Sequence, residues 1–255
     1  MLNNTKILEL YKIGPILVIL TIESLELNLK GSFMQSNMSF QSASHSSAIE
    51  INKVLKNTYM LLSMTLAFSA VTAGISMAMN LSHMAALVMM LVAFGLMFVV
   101  NKKADSASGI FWIFAFTGLM GASLGPMLNV YAAMPNGGAM IMQALGGTAL
   151  IFFALSGYAL TSKKDFSFMG GFLMTGLIVV LVASLANIFF QIPALSLAIS
   201  AAVIMVMSGL ILFDTSRIIN GGERNYIRAT ISLYLNVYNI FVHLLHLLGV
   251  FGGDD

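Results

Sequence analysis

The chain contains no cysteine among its 255 residues. Disulfides, thiolate metal sites and a cysteine nucleophile are therefore excluded, although the compartment is not fixed. Charge is also scarce. Asp, Glu, Lys and Arg make up 9% of the residues, where a soluble domain carries roughly 25%. The net charge of +2 is too small to suggest a nucleic-acid partner. What is abundant is apolar: 58% of the chain is hydrophobic, with twenty methionines and eighteen phenylalanines. Such a composition suits an adaptable, lipid-facing bundle and excludes a water-soluble fold.

Four long runs contain no charged side chain: residues 57–101, 106–162, 166–213 and 229–253. A membrane helix needs about 20 apolar residues. The first three runs hold two spans each and the last holds one. Turn signals divide them at Asn80-Leu81-Ser82-His83, at Pro135-Asn136-Gly137-Gly138 and at Gln191-Ile192-Pro193. The expected spans are 57–79, 83–101, 107–130, 138–161, 167–190, 194–219 and 226–250. The fold expected is an all-α polytopic bundle of seven transmembrane helices, occupying residues 53–255.

The basic residues mark every second turn. Lys53 and Lys56 precede span one, Lys102 and Lys103 follow span two, and Lys163 and Lys164 follow span four. Arg217, Arg224 and Arg228 surround the join of spans six and seven. The remaining loops and the Gly252-Gly253-Asp254-Asp255 tail have no lysine or arginine. The positive-inside rule places the N-terminus in the cytoplasm and the C-terminus outside. An odd number of spans independently requires opposite ends.

Residues 1–52 read as a flexible cytoplasmic segment. Its apolar stretch, Ile13 to Ile22, is too short to span a bilayer. Lys6 and Lys12 resemble a signal-peptide n-region, but no small-x-small cleavage site follows and Glu23 and Glu26 come soon after. Gln35 to Ser47 is serine-rich and uncharged, as a flexible tail is. Translation starting at Met34 or Met38 is an alternative reading of this region, distinguishable by intact mass.

Helices approach closely in lipid through small residues. Gly118, Gly121, Gly125, the pairs Gly146-Gly147, Ser156-Gly157 and Gly170-Gly171, and Gly176 are expected at such contacts. Pro126 should bend or end span three, making its outer end a candidate pore wall with Asn129.

Asp214 is the sharpest polar candidate. It lies about five residues before the expected end of span six, where a carboxylate opposes the helix dipole. Either it pairs locally with Arg217 at i+3, or it forms an ion- or proton-responsive site facing the bundle interior. Span seven carries Ser232, Asn236, Asn239, His243 and His246 at spacings of four, three, four and three, which keeps them on one face. They are either interhelical hydrogen-bonding residues or, for the histidines, part of a proton path. A metal pair at His243-x-x-His246 lacks an acidic residue to complete it. An intramembrane serine hydrolase has only Ser156-Gly157 and His243 as a loose pairing, with no supporting motif.

From about Ile49 to Asp255 the chain resembles the Bax inhibitor family. The residues that carry the resemblance are Ile211-Leu212-Phe213-Asp214-Thr215-Ser216, the stretch Ile231 to Phe241 (ISLYLNVYNIF), and the Gly-Gly-Asp-Asp end. Supporting segments are Val54 to Tyr59, Ala144 to Leu150 and Gly221 to Thr230. The resemblance implies a seven-span, non-enzymatic protein without a cofactor. In its bacterial inner-membrane branch it implies binding to the ATP-dependent protease FtsH and its regulators, with the floppy N-terminus making the protein a slow substrate. Other members behave as pH-sensitive calcium leaks that use paired aspartates on spans six and seven. Asp214 matches the first aspartate, but the second position holds Asn236. Two carboxylates can share a proton and Asp plus Asn cannot, so a full dual-aspartate sensor is not expected. A basic latch that some members carry falls near Asn101, beside Lys102 and Lys103.

Overall fold

The computed structural model describes residues 49–252 apart from residue 163. The readings made of residues 1–48, including the signal peptide and the alternative starts, lie outside the described residues. Among the latter are seven helices long and apolar enough to cross a membrane. They are α1 (Ile49–Ala78), α2 (His83–Lys103), α3 (Gly109–Ala132), α4 (Gly137–Ser162), α5 (Gly170–Phe190, preceded by a 3-10 turn at Ser167–Met169), α6 (Pro193–Ile219) and α7 (Tyr226–Phe251). The core unit begins at Ile51. Helix α7 lies among α3, α4 and α6, while α2 packs on α3 and α5 on α6.

The seven-span bundle expected from the uncharged runs is what forms. The main difference is at α1, which begins at Ile49 and includes the last four residues assigned to the tail. Lys53 and Lys56 lie within its first turns, since charge by itself does not end a helix.

The turns carry their own backbone signatures. Asn80, Asn136 and Gln191 have φ of 49°, 57° and 51°, the left-handed conformation that reverses a chain after a helix. Each lies in one of the three turn segments read from the sequence. Ser82 then caps α2 by accepting from the Ala85 amide at 3.2 Å, and Pro193 occupies the first turn of α6, where no amide proton is needed.

Contacts gather the basic turns at one end. Asn225 caps α7, its Oδ1 accepting from the amides of Ile227 and Arg228 at 2.9 and 3.1 Å. Its Nδ2 donates to the Ala104 carbonyl at 3.0 Å and to Asp105 at 2.7 Å, tying the α2–α3 turn to the α6–α7 turn. Arg228 pairs with Asp105 beside it. The Ser216 hydroxyl donates to the Lys164 carbonyl at 3.2 Å and accepts from the Phe166 amide at 2.9 Å, bringing in the α4–α5 loop. We expect Asn225→Ala to lower stability by about 1–2 kcal/mol, since it removes a cap and two interloop bonds. Asp105→Ala should cost about 0.5 kcal/mol or less, because that side chain is 70% exposed. Thermal unfolding in one detergent gives the order, and equal melting temperatures for the two variants would contradict it.

The glycines divide into two sets. A methyl group on Gly121 would sit 2.2 Å from the Ser69 carbonyl oxygen, and one on Gly125 would sit 2.1 Å from the Ser76 hydroxyl. Gly118 faces Phe68, completing the contact of α3 with α1. Gly170 meets Phe213, Gly176 meets Val206, and Gly147 is in looser contact with Leu244. Gly146, Gly157 and Gly171 have open space where a Cβ would go, so they are not contact sites. Four further close approaches to other helices were not expected: Gly249 against Tyr131, Gly209 against Leu173, Gly109 against Ile227 and Gly252 against Met140.

Pro126 does not end α3, which continues to Ala132. Asn129 ties two helices together. Its Nδ2 donates to the Met77 carbonyl at 3.1 Å and to Asn80 at 3.4 Å, fastening α3 to the end of α1.

A buried carboxylate between α6 and α7

Asp214 is 7% exposed, within the last turns of α6. Such a carboxylate must be protonated or satisfied by donors. The donors come from α7. The Ser232 hydroxyl donates to Asp214 Oδ2 at 2.6 Å, and Asn236 Nδ2 donates to the same oxygen at 2.8 Å. The two donors are four residues apart, so one helix face presents both. Asn236 is itself 4% exposed.

Arg217 takes no part in this contact. Its guanidinium lies 3.8 Å from Glu223 and 5.6 Å over the Phe213 ring. Of the two readings of Asp214, the local ion pair with Arg217 does not form: across the helix pair two neutral donors hold the carboxylate, and the arginine is drawn to the next loop. Ser232, read as a general interhelical contact, belongs to this site.

The next residue of α6, Thr215, belongs to a separate polar cluster. Tyr59, Ser156 and Thr215 bring three hydroxyls together from α1, α4 and α6. Tyr59 bonds Ser156, Ser156 lies 3.3 Å from Thr215, and Tyr59 lies 3.4 Å from Thr215. Thr215 and Ser216 are wholly buried, with 0% exposure. The available signal was three consecutive polar residues, Asp214-Thr215-Ser216, inside an apolar helix. Their side chains diverge around the helix, toward α7, toward α1 and α4, and toward the α4–α5 loop.

The rest of the α7 stripe does not converge on Asp214. Asn239 Nδ2 donates to the Leu235 carbonyl of its own helix at 2.8 Å. His243 and His246 lie towards the opposite end. Both Nδ1 atoms are 3.0 Å from the Ser200 hydroxyl, and His246 Nε2 is 3.5 Å from Ser196. A single hydroxyl between two imidazoles donates to one and accepts from the other, so the two rings take complementary tautomers when both are neutral. They border a cavity of about 260 Å³ that Ser184 and Asn187 also line. Between Ser200 and Asp214, α6 contributes Val203, Met207 and Ile211 to the hydrophobic core. These polar residues of α6 and α7 thus form two separated sites and two local contacts. Among the described residues, no three His, Asp or Glu side chains are grouped as a metal site would require.

The family described as inhibitor of apoptosis-promoting Bax1 matches residues 51–253. An uncharacterized membrane protein of Vibrio cholerae is 56% identical over 87% of this chain and 100% of its own length. A protein of Escherichia coli named modulator of FtsH protease YccA is 54% identical over 84% of this chain and 98% of its own. An uncharacterized protein of Pseudomonas aeruginosa is 50% identical over 81% of this chain and 93% of its own. With that match across all seven helices, the chain belongs to the Bax inhibitor family of membrane proteins.

Proposed function

We propose that this protein is a non-enzymatic inner-membrane modulator of an FtsH-type protease, with the basic end of the bundle in the cytoplasm. The observation that carries the reading is 54% identity over 98% of the length of a protein named as such a modulator. The one-sided basic turns support the orientation. The serine-rich, uncharged composition of Gln35 to Ser47 supports a segment that such a protease could engage. The protein and the protease should co-purify from native membranes, and deleting the gene should speed turnover of other membrane substrates. Removing residues 1–48 should lengthen the protein's own lifetime in a pulse-chase. Absence of co-purification together with unchanged substrate turnover rejects the proposal.

A second reading rests on the buried Asp214. A carboxylate inside a membrane bundle, held by neutral donors, suits a cation or proton path, with calcium as the first ion to test. Val203, Met207 and Ile211 would then be the apolar constriction between it and the His243–His246 cavity. Calcium flux into liposomes should fall severalfold in Asp214→Asn. Identical flux for the two proteins excludes Asp214 as the gate.

A further inference from the structure

A second cavity, of about 430 Å³, lies between α1 and α4, with α7 as its floor. Its walls are almost entirely apolar. On α1 the lining runs from Tyr59 through Leu66, Ala70 and Gly74 to Met77; α4 supplies Leu145 and Ala149, and Tyr238 and Phe241 lie beneath. Native interiors hold few voids larger than a water, because wall atoms facing a void lose their dispersion partners. A space of this size and character in a membrane protein is filled from the bilayer.

Its shape selects the occupant. Tyr59 to Met77 is about 27 Å along a helix at 1.5 Å per residue. Counting all the empty space there, about 1310 Å³, the mean section over that length is about 49 Å². A helix with side chains is about 10–12 Å across and needs about 80 Å² or more. A single file of methylenes fits where a partner's helix does not. The ends of the crevice differ in charge. Lys56 is exposed and lies three residues before Tyr59 and seven before Ser63, so it continues the lining face of α1 at the basic end. A lysine stem at that depth extends its ammonium to the headgroup layer. The far end, past Met77, leads into Asn80 and Ser82, with no charge.

We infer that this crevice binds one anionic glycerophospholipid, with an acyl chain between α1 and α4 and its phosphate at Lys56. The inference stands apart from the protease and ion readings. Gly74 gives a clean test, because a Cβ there meets nothing within 4 Å. The full chain is purified in mild detergent, incubated with phosphatidylglycerol or phosphatidylcholine, and examined by native mass spectrometry.

The wild type should retain one phosphatidylglycerol through delipidating washes. Gly74→Leu, which fills the crevice, should retain at least tenfold less with an unchanged melting temperature. Lys56→Gln should lose most of the preference for phosphatidylglycerol over phosphatidylcholine. A phosphatidylglycerol carrying a photoreactive acyl chain, used on wild type, should label α1 and α4 residues of the crevice, and this result does not depend on a variant folding. No retained lipid, retention unaffected by Gly74→Leu, or labelling spread evenly around the bundle overturns the inference. So does crosslinking of a partner's helix into the crevice in native membranes.

Discussion

Gly121→Leu should leave little folded protein. The first added carbon meets the Ser69 carbonyl oxygen at 2.2 Å, the Thr72 hydroxyl at 2.4 Å and the Ser69 hydroxyl at 2.6 Å. One of these is backbone and cannot swing away. Overfilling a packed site usually costs about 1–3 kcal/mol, and a backbone clash stands at or above the top of that range. The damage also spreads. Ser69 Oγ bonds the Tyr234 hydroxyl at 2.7 Å, and Tyr234 donates to the Thr117 carbonyl at 3.3 Å, a chain joining α1, α7 and α3. Separating α1 from α3 breaks it. Gly125→Leu should behave alike, because its added carbon would lie 2.1 Å from Ser76 Oγ and 2.9 Å from the Met77 amide nitrogen. Gly146→Ala is the matched control. With nothing near it, this change should be neutral or stabilise by up to about 1 kcal/mol, since alanine loses less chain entropy in a helix. Monodisperse yield and melting temperature in detergent separate the three. A well-folded Gly121→Leu protein, melting like wild type, would refute the α1–α3 contact.

The second large effect is at position 236. Asn236→Leu takes away one of two neutral donors from a carboxylate that is 7% exposed. Leaving a buried acceptor short of a partner costs about 1–3 kcal/mol, and more when it is charged. We expect a loss of about 2–3 kcal/mol, larger than for Asp214→Asn, which replaces a charge by a neutral side chain of similar shape. Asn236→Asp acts differently. Two carboxyl groups at hydrogen-bond distance hold together while one proton lies between them. The stability of that pair is present at low pH and is lost as pH rises, because removing the shared proton places two like charges between α6 and α7. Melting temperatures measured from acid to alkaline pH should therefore fall much more steeply for Asn236→Asp than for wild type. If Asp214 is an ion gate, the same variant should acquire pH-dependent calcium flux. Parallel pH profiles for the two proteins would show that positions 214 and 236 do not face each other.

Legibility followed how local the physics was. Asn80, Asn136 and Gln191 could be placed in turns because a polar or turn-forming residue between two apolar runs has few other uses. Gly146 and Gly121 could not be told apart, because a glycine announces only that it has no side chain. Whether a neighbouring helix exploits that space depends on the rotation of both helices. Which of the two readings of Asp214 holds was open for the same reason. Spacing of three made Asp214 the nearest carboxylate to Arg217 along the helix, but Glu223 in the following loop and the Phe213 ring drew the arginine away. The Tyr59–Ser156–Thr215 cluster joins residues up to 156 positions apart, and its one signal, the polar run Asp214-Thr215-Ser216, does not say which residues of α1 and α4 complete it.

The sequence by itself determined the class, the count of helices and the turn positions, and it separated a basic end from an uncharged one. Those properties come from transfer free energy and backbone geometry, which act on each segment alone: about 20 apolar residues span a bilayer wherever they occur. It also marked Asp214 and the α7 stripe as costly to bury. Only the tertiary structure decided which donors meet that cost. Ser232 and Asn236 reach one oxygen of Asp214, Asn239 bonds its own helix, and the two histidines share Ser200 at the other end. The crevice between α1 and α4 likewise exists only in the fold. Apolar side chains look alike to a hydropathy scale, and packing alone settles which face protein, which face lipid, and which line a space that a lipid can enter.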